Sequence, residues 1–144
     1  PFIVKGDSML PNFISGDYLI VDELSYRFSD PQRGDVIVFK YPKDATQRFI
    51  KRVIGLPGET VDVSNGSVTI SKDGKSFVLA EAYIPPDLKT YGDARTVLGA
   101  DEFFVLGDNR EFSYDSRRWG SVPKKDIIGK ALLRILPLAA LSKF

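Results

Sequence analysis

Short runs of β-branched and aromatic residues, separated by turn-forming residues, recur along this 144-residue chain and restrict its fold more than any other feature. Runs of this kind are typical of β-strands. The turns Asn65-Gly66 and Asp73-Gly74 favour the positive φ angles of two-residue hairpins, so residues 60–80 are predicted to form a β-meander. Helical signals are weak, and only residues 24–28 indicate a turn or two of helix. The predicted strands are Tyr18–Val21, Val36–Phe39, Phe49–Ile54, Thr60–Val63, Val68–Ile70, Phe77–Leu79, Phe103–Leu106 and, from a mixed pattern, Lys124–Leu136.

The pattern predicts an all-β or mostly β fold, for which sandwich or barrel-like packing of antiparallel sheets is the usual outcome. With 43% apolar residues the chain can bury a core, and its length favours one domain with an insertion. The composition becomes more polar after Pro57-Gly58. We therefore predict an antiparallel β-sheet core made of residues 1–57 and 100–137, an inserted smaller β subdomain at 58–99, and a C-terminal tail at 138–144.

Two residue types that carry much of enzyme chemistry, Cys and His, are absent. Disulfides, thiolate nucleophiles, zinc–thiolate sites and every Ser-His or Cys-His arrangement are therefore excluded. A hydrolase built from this sequence must activate its nucleophile with Lys, carboxylates or a metal. The net charge of +1 gives no reason to expect a nucleic-acid partner. Residues 127–141 are too interrupted to span a membrane, and the start at Pro1 leads us to expect a portion of a longer protein.

The first group of residues that could carry chemistry is Gly6 to Pro11, which contains Ser8. A Ser in a stretch that Pro11 forces into a turn can present its hydroxyl and its own backbone N–H in one direction, as acyl transfer requires. An ordinary Asp-Ser turn is the alternative, and this group alone favours it.

The second group is Phe49 to Gly58. In a strand, Lys51 and Arg52 point to opposite faces, and Lys51 shares its face with Phe49 and Val53. One of the two cations is therefore predicted to face the interior. A solvated sheet face is the usual explanation for Lys in a strand, but apolar neighbours also permit a desolvated amine.

The third group is Leu106 to Arg117, a polar stretch directly after an apolar predicted strand, where functional sites are often displayed. A polar loop with internal salt bridges explains its composition equally well. Metal binding by Asp108, Asn109 and Asp115 is disfavoured because the spacing lacks the Gly and terminal Glu of an EF-hand. We expect no metal and no cofactor.

These three groups, in this order, resemble the signature sequences of bacterial type I signal peptidases, the Ser/Lys proteases that remove signal peptides from exported proteins. Arg33 to Phe39 is a fourth match, and Trp119-Gly120, Val122-Pro123 and Ile128 to Lys130 extend the resemblance to about residue 137. Four matches in order are far more specific than one. The resemblance implies a mostly β fold with a catalytic core and an inserted second β region, in agreement with the strand pattern.

The resemblance also implies roles for individual residues. Ser8 matches the nucleophile, Lys51 the general base, and Ser113 the serine whose hydroxyl orients that lysine. Other matches are the supporting residues Asp115 and Arg117, the structural ion pair Arg52 and Asp108, and the substrate-cleft residues Val4, Met9, Phe13, Phe49 and Ile50. Some members have Ser where this chain has Gly6, so the oxyanion is expected to rest on the Ser8 N–H and a neighbouring main-chain donor or water.

The expected activity is removal of N-terminal signal peptides after small residues of the Ala-x-Ala type, with Lys51 kept neutral by burial. The expected partners are signal peptides of secreted preproteins and a membrane lipid surface, without nucleic acid. The expected location is the outer face of the bacterial cytoplasmic membrane, with an anchor preceding Pro1. The alternatives are a self-cleaving Ser/Lys repressor-type domain, a conjugative or mitochondrial-type processing peptidase, and a non-catalytic peptide-binding relative.

Overall fold

Two antiparallel β-sheets form the framework of the computed structural model, which describes residues 1–135 and, of Leu133, the backbone only. The mostly β prediction is confirmed. Residues 136–144, which include the end of the last predicted strand and the predicted tail, lie outside the described residues. The strands are β1 Phe2–Ile3, β2 Tyr18–Asp22, β3 Val36–Tyr41, β4 Asp44–Gly55, β5 Thr60–Ser64, β6 Ser67–Lys72, β7 Lys75–Val78, β8 Ala94–Val97, β9 Glu102–Leu106, β10 Val122–Pro123 and β11 Ile127–Ile135.

In the described part of the chain, helical structure is confined to single turns. The helix α1 spans Ser116–Trp119, and 3₁₀ turns lie at Ser25–Arg27, Arg110–Phe112 and Lys124–Asp126. The first of these falls where residues 24–28 are predicted to form a helical turn. Within residues 1–135, no helix has the length and apolar character needed to cross a membrane.

The larger sheet has seven strands in the order β1-β2-β11-β3-β4-β9-β10, and every pair is antiparallel. Strand β4 pairs with β3 from Asp44 to Arg52. On its other side, β9 pairs with β4 only from Arg52 to Gly55. Among the described strands, residues 44–51 of β4 therefore keep one edge without a partner, and this edge borders the candidate site.

The smaller sheet has the order β7-β6-β5-β8 and lies within the segment predicted as an insert. Strands β5, β6 and β7 form the predicted meander, which is confirmed. Asn65 and Asp73 have φ angles of 53° and 52°, which Asn and Asp adopt more readily than other residues with a Cβ. Strand β8 is absent from the predicted set. Its side chains alternate between half-buried and exposed, and it pairs with β5.

Three clusters of buried apolar side chains hold the sheets together. One underlies β1 and the turn after it, and a second packs Trp119 against the aromatic residues of β3 and β4. The third joins the two sheets, since Phe104 and Leu106 of β9 pack with side chains of β5 and β6. Full burial of a side chain of this size contributes about 1.5–3 kcal/mol, so this third cluster fastens the smaller sheet onto the larger one. Its buried members are Ile54, Val61, Val63, Val68, Ile70, Leu98, Phe104 and Leu106.

Candidate active site

The side chains of Ser8 and Lys51 meet although they lie 43 positions apart in the sequence. The Nζ of Lys51 donates a hydrogen bond to the Oγ of Ser8 over 2.7 Å. Ser8 lies in the turn after β1, and Lys51 lies within β4. A nucleophilic hydroxyl within hydrogen-bond reach of a basic side chain is the arrangement that covalent catalysis requires.

The backbone around Ser8 is fixed by contacts on both sides. The side chain of Met9 is buried in the core cluster under β1. The N–H of Asn109 donates to the carbonyl oxygen of Ser8 over 2.9 Å, and its Nδ2 donates to the carbonyl oxygen of Asp7 over 3.0 Å. The loop after β9 therefore holds the Ser8 peptide group in place.

Lys51 is largely withdrawn from water, with only 6% of its surface exposed. Its Nζ lies 5.4 Å from the centre of the Phe49 ring, and Ile37 stands opposite it on β3. Burial lowers the pKa of Lys51 from 10.5 to about 8, against the charge of Asp115, which acts to raise it. At pH 7 roughly one amine in ten is then neutral, compared with about one in 2,500 for an unperturbed lysine.

Arg52 points to the opposite face of β4, yet its side chain is only 11% exposed. Its Nε and Nη2 donate to the two carboxylate oxygens of Asp108 over 2.9 and 2.7 Å, so the expected ion pair is present. The Tyr83 ring covers the guanidinium, whose Cζ lies 3.8 Å from the ring centre. The sequence predicted that one of the two cations faces the interior. Lys51 and Arg52 are both withdrawn from solvent, because Tyr83 covers the face of β4 to which Arg52 points.

Asp115 and Arg117 tie together the loop that follows β9. The Oδ1 of Asp115 accepts from the Arg117 N–H at the start of α1 (3.2 Å), and its Oδ2 accepts from the Gly107 N–H (3.1 Å). The Nε and Nη2 of Arg117 also donate to the carboxylate, each over 2.9 Å. The same Nη2 reaches the carbonyl oxygen of Arg110 (2.9 Å), while Nη1 reaches that of Tyr91 (2.7 Å).

Ser113 lies beside the site, but the expected hydrogen bond to Lys51 is not formed. Its Oγ is buried and has no hydrogen-bond partner within the described part of the chain. The hydroxyl packs against Gly107, where an added Cβ would come within 2.1 Å of Ser113 Oγ and 2.5 Å of the Ser8 carbonyl oxygen. Glycine is therefore required at position 107, although the predicted site does not include it. A role for Ser113 in orienting Lys51 stays a prediction.

A cavity of about 920 Å³ opens beside Ser8 and Lys51. One wall is the chain from Phe2 to Ser8, except Val4, and the opposite wall is the unpaired edge of β4 at residues 45–51. Phe112 and Tyr114 contribute the remaining lining residues. The cavity is thus a cleft bordered on one side by a free strand edge, with Ser8 and Lys51 in its walls.

The structure divides the five predicted cleft residues into two groups. Phe49 and Ile50 line the cleft. Val4 and Met9 are buried, and Phe13 packs against the same core cluster. These three side chains lie away from the cleft wall because they fill the space under β1 and β2, where they hold the turn that carries Ser8.

Comparison with known proteins identifies the family of the chain. The family model described as "Signal peptidase, peptidase S26" matches residues 1–136. The chain belongs to this family. It is a signal peptidase I-type serine endopeptidase, and signal peptides are the substrates that membership of the family implies.

Individual relatives of this signal peptidase agree with the family match. Signal peptidase I of Leptolyngbya laminosa is 46% identical over 150 residues, which cover 97% of this chain and 70% of that protein. Probable signal peptidase I-1 of Synechocystis sp. is 45% identical over 146 residues, which cover 95% of this chain and 71% of that protein. A crystal structure of a signal peptidase I from Enterococcus faecalis V583 has a TM-score of 0.60 and 32% identity, and covers 72% of this chain and 98% of its own.

Several residues around Ser8 and Lys51 were not assigned a role from the sequence. Gly107 and Arg110 lie within the third group, and Asn12, whose Nδ2 donates to Asp108 Oδ2 over 2.8 Å, follows the first, so their positions offered a weak signal. Glu81 and Tyr83 lie far from any recognised group, and their part in the site follows only from the fold. Among residues 1–135, no cluster of three or more Asp or Glu side chains could hold a metal ion.

Proposed function

We propose that this signal peptidase cleaves its substrates with Ser8 as nucleophile and Lys51 as general base. The observation that carries the proposal is the 2.7 Å contact between Nζ and Oγ, made where burial lowers the pKa of Lys51 to about 8. An amine with this pKa is neutral often enough near pH 8 to accept a proton and charged often enough to return it.

In the proposed reaction, neutral Lys51 takes the Ser8 hydroxyl proton as Oγ attacks the scissile carbonyl carbon. The resulting lysine ammonium then protonates the leaving amine as the peptide bond breaks. Neutral Lys51 next removes a proton from water, which attacks the acyl-enzyme ester. The lysine returns that proton to Ser8 Oγ as the ester bond breaks. One water is consumed, and both residues return to their starting states.

The oxyanion of the tetrahedral intermediate requires backbone donors in this proposal, because Gly6 has no side-chain hydroxyl. The N–H of Gly6 already donates to the Oγ of Ser15 over 3.2 Å. The N–H of Ser8 donates to no described residue, which leaves it available for the developing charge.

We propose that the substrate lies extended in the cleft and pairs with the free edge of β4. The peptide groups of residues 45–51 supply hydrogen bonds independent of the substrate's sequence, and alternate side chains of the substrate face the cleft wall. In this proposal Phe49 and Ile50, which line the cleft, contact the substrate residues of the Ala-x-Ala site.

We further propose action on the outer face of the bacterial cytoplasmic membrane, in contact with lipid. Exposed apolar side chains lie side by side on the neighbouring strands β1, β2 and β11, where Tyr18 pairs with Ile3 on one side and with Ile135 on the other, and grouped apolar surface of this kind is suited to a lipid boundary. These exposed residues are Ile3, Tyr18, Ile20, Leu132 and Ile135.

The test is incubation of the purified protein, with detergent or lipid, with a precursor that carries an Ala-x-Ala site, followed by mass spectrometry. We expect the parent to cleave after the second Ala. Ser8→Ala and Lys51→Met should both lose this cleavage. Ser67→Ala in the smaller sheet and Lys40→Met on β3 are the matched controls and should cleave normally. Cleavage of the same bond by Ser8→Ala would refute the assigned nucleophile, and turnover by Lys51→Met would refute the assigned base.

A further inference from the structure

The guanidinium of Arg110 is completely buried next to the active-site loop. Its Nη1 and Nη2 donate to the two carboxylate oxygens of Glu81, and Nη1 also donates to the Oγ1 of Thr90 over 2.7 Å. Glu81 and Thr90 both belong to the connection between β7 and β8 in the predicted insert. Among the described residues, Glu81 is the one carboxylate that forms an ion pair with Arg110.

The same guanidinium shapes the loop that contacts the nucleophile. The Nε of Arg110 donates to the carbonyl oxygen of Gly107 over 2.8 Å, so the side chain closes residues 107–110 into a tight curve. Within this curve lies Asn109, whose N–H donates to the Ser8 carbonyl oxygen. The N–H of Asp108 also contacts the Sδ of Met9 at 3.4 Å.

Residues 107–109 belong to no helix or strand, so side-chain contacts set the shape of this segment. A buried guanidinium is held in one orientation when a carboxylate neutralises it and fixes its donors. Here that carboxylate comes from the insert, and Tyr83 in turn donates its hydroxyl to Glu81. The position of the Ser8 peptide group thus depends on a contact made 29 positions before Arg110.

We propose that the Glu81–Arg110 pair positions Ser8 for the reaction, so that the predicted insert supplies a positioning residue to the active site. The proposal rests on the proposed function of Ser8. Neither residue touches the cleft, since neither lines it. Loss of the pair should therefore affect the chemical step and leave substrate binding nearly unchanged.

The ion pair between Arg33 of the predicted core and Glu59 of the predicted insert provides a matched control. Glu59 accepts from Nη1 and Nη2 of Arg33 over 2.6 and 2.7 Å, and its side chain is 7% exposed, the same value as for Glu81. Its remaining hydrogen bond comes from the Leu56 N–H. Within the described residues it has no hydrogen bond to the 107–110 loop, so Glu59→Gln removes a similar pair away from Ser8.

The experiment measures kcat and KM for an Ala-x-Ala precursor with the parent, Glu81→Gln and Glu59→Gln, under conditions where each variant is folded. Glu81→Gln is expected to lower kcat by about 10- to 100-fold, the scale of a small misplacement of a catalytic group, with KM changed by less than about twofold. Glu59→Gln should keep both constants within about twofold. Equal effects on kcat in the two variants would overturn the proposal.

The double variant Glu81→Gln/Arg110→Met separates positioning from stability. It removes both buried charges, a change that often leaves stability unaltered, but it does not restore the bond to the Gly107 carbonyl oxygen. We expect a folded protein whose kcat stays at least about tenfold below the parent. Recovery of the parental kcat would overturn the proposal, even where Glu81→Gln alone fails to fold. A parent that leaves the precursor intact would refute the proposed function itself, together with this inference.

Discussion

Lys51→Met should change the pH dependence of folding stability through a single ionisable group. The pKa of Lys51 falls from 10.5 to about 8 on folding, and each pKa unit corresponds to about 1.4 kcal/mol. Below pH 8 the amine is charged in both the folded and the unfolded state, so burial of the charge costs roughly 3 kcal/mol. Above pH 10.5 the amine is neutral in both states, and this cost disappears.

The sign follows from proton uptake. Between pH 8 and 10.5 the unfolded state binds more protons than the folded state, so the stability contributed at this site rises with pH. Methionine has a similar volume and no charge to bury. Lys51→Met should therefore be more stable than the parent at pH 7, by an amount on the order of 3 kcal/mol. That advantage should fall toward zero at pH 10.5.

The assay is equilibrium unfolding in urea at intervals from pH 6 to 10.5, followed by fluorescence of Trp119, the single tryptophan of the chain. Comparison of the variant with the parent cancels the ionisation of other groups, including Tyr26 and Tyr83, whose pKa values are raised mainly by burial. Lys40→Met, at an exposed position of β3, is the control and should differ from the parent by a constant amount. A difference between Lys51→Met and the parent that stays the same across the whole pH range would refute the reasoning.

Two further predictions concern the reaction. Because the proposed base must be neutral, kcat/KM should rise with pH along an acidic limb with an apparent pKa near 8, and a flat profile between about pH 5 and 10 would contradict a titrating lysine. Gly107→Ala should abolish cleavage and lower the free energy of unfolding by about 1–3 kcal/mol, since its Cβ would collide with Ser113 Oγ and the Ser8 carbonyl oxygen. Gly74→Ala, where an added Cβ meets no other atom, is the control and should retain activity. Full activity of Gly107→Ala would contradict the prediction, because it would show that the 107–110 loop can move to accommodate a Cβ.

Local sequence was sufficient to predict much of the fold. Runs of β-branched and aromatic residues mark the longer strands, and the Asn65-Gly66 and Asp73-Gly74 turns specify hairpins through the backbone preferences of adjacent residues. Strands β1 and β10 are two residues long, too short for any periodicity, and they exist because a distant partner strand is available. Strand β8 contains Arg95 and Thr96 and has no apolar run that would predict it. It too exists because a partner strand, β5, is available.

The candidate site was predictable where the environment of a side chain depends on residues adjacent to it in the sequence. Lys51 fits this case, because the apolar residues on its face of β4 permit a desolvated amine, although a solvated sheet face was the alternative. The cover over Arg52 was not predictable, since it comes from Tyr83 in the connection between β7 and β8. The placement of Val4 and Met9 in the core was also beyond local patterns, because outside regular strands no alternation indicates which way a side chain faces.

The contacts that complete the site join parts of the chain that are remote in sequence. Asn109 reaches Asp7 across 102 positions, and Lys51 reaches Ser8 across 43. Contacts of such high sequence separation form only when the global topology is in place. A nascent chain in which Ser8 has already emerged therefore lacks the Ser8–Lys51 contact of the proposed mechanism until β4 and the 107–110 loop have folded around it. Incomplete folding would therefore keep the protein inactive, as a propeptide does in other proteases, because in the proposed mechanism catalytic competence appears together with the native state.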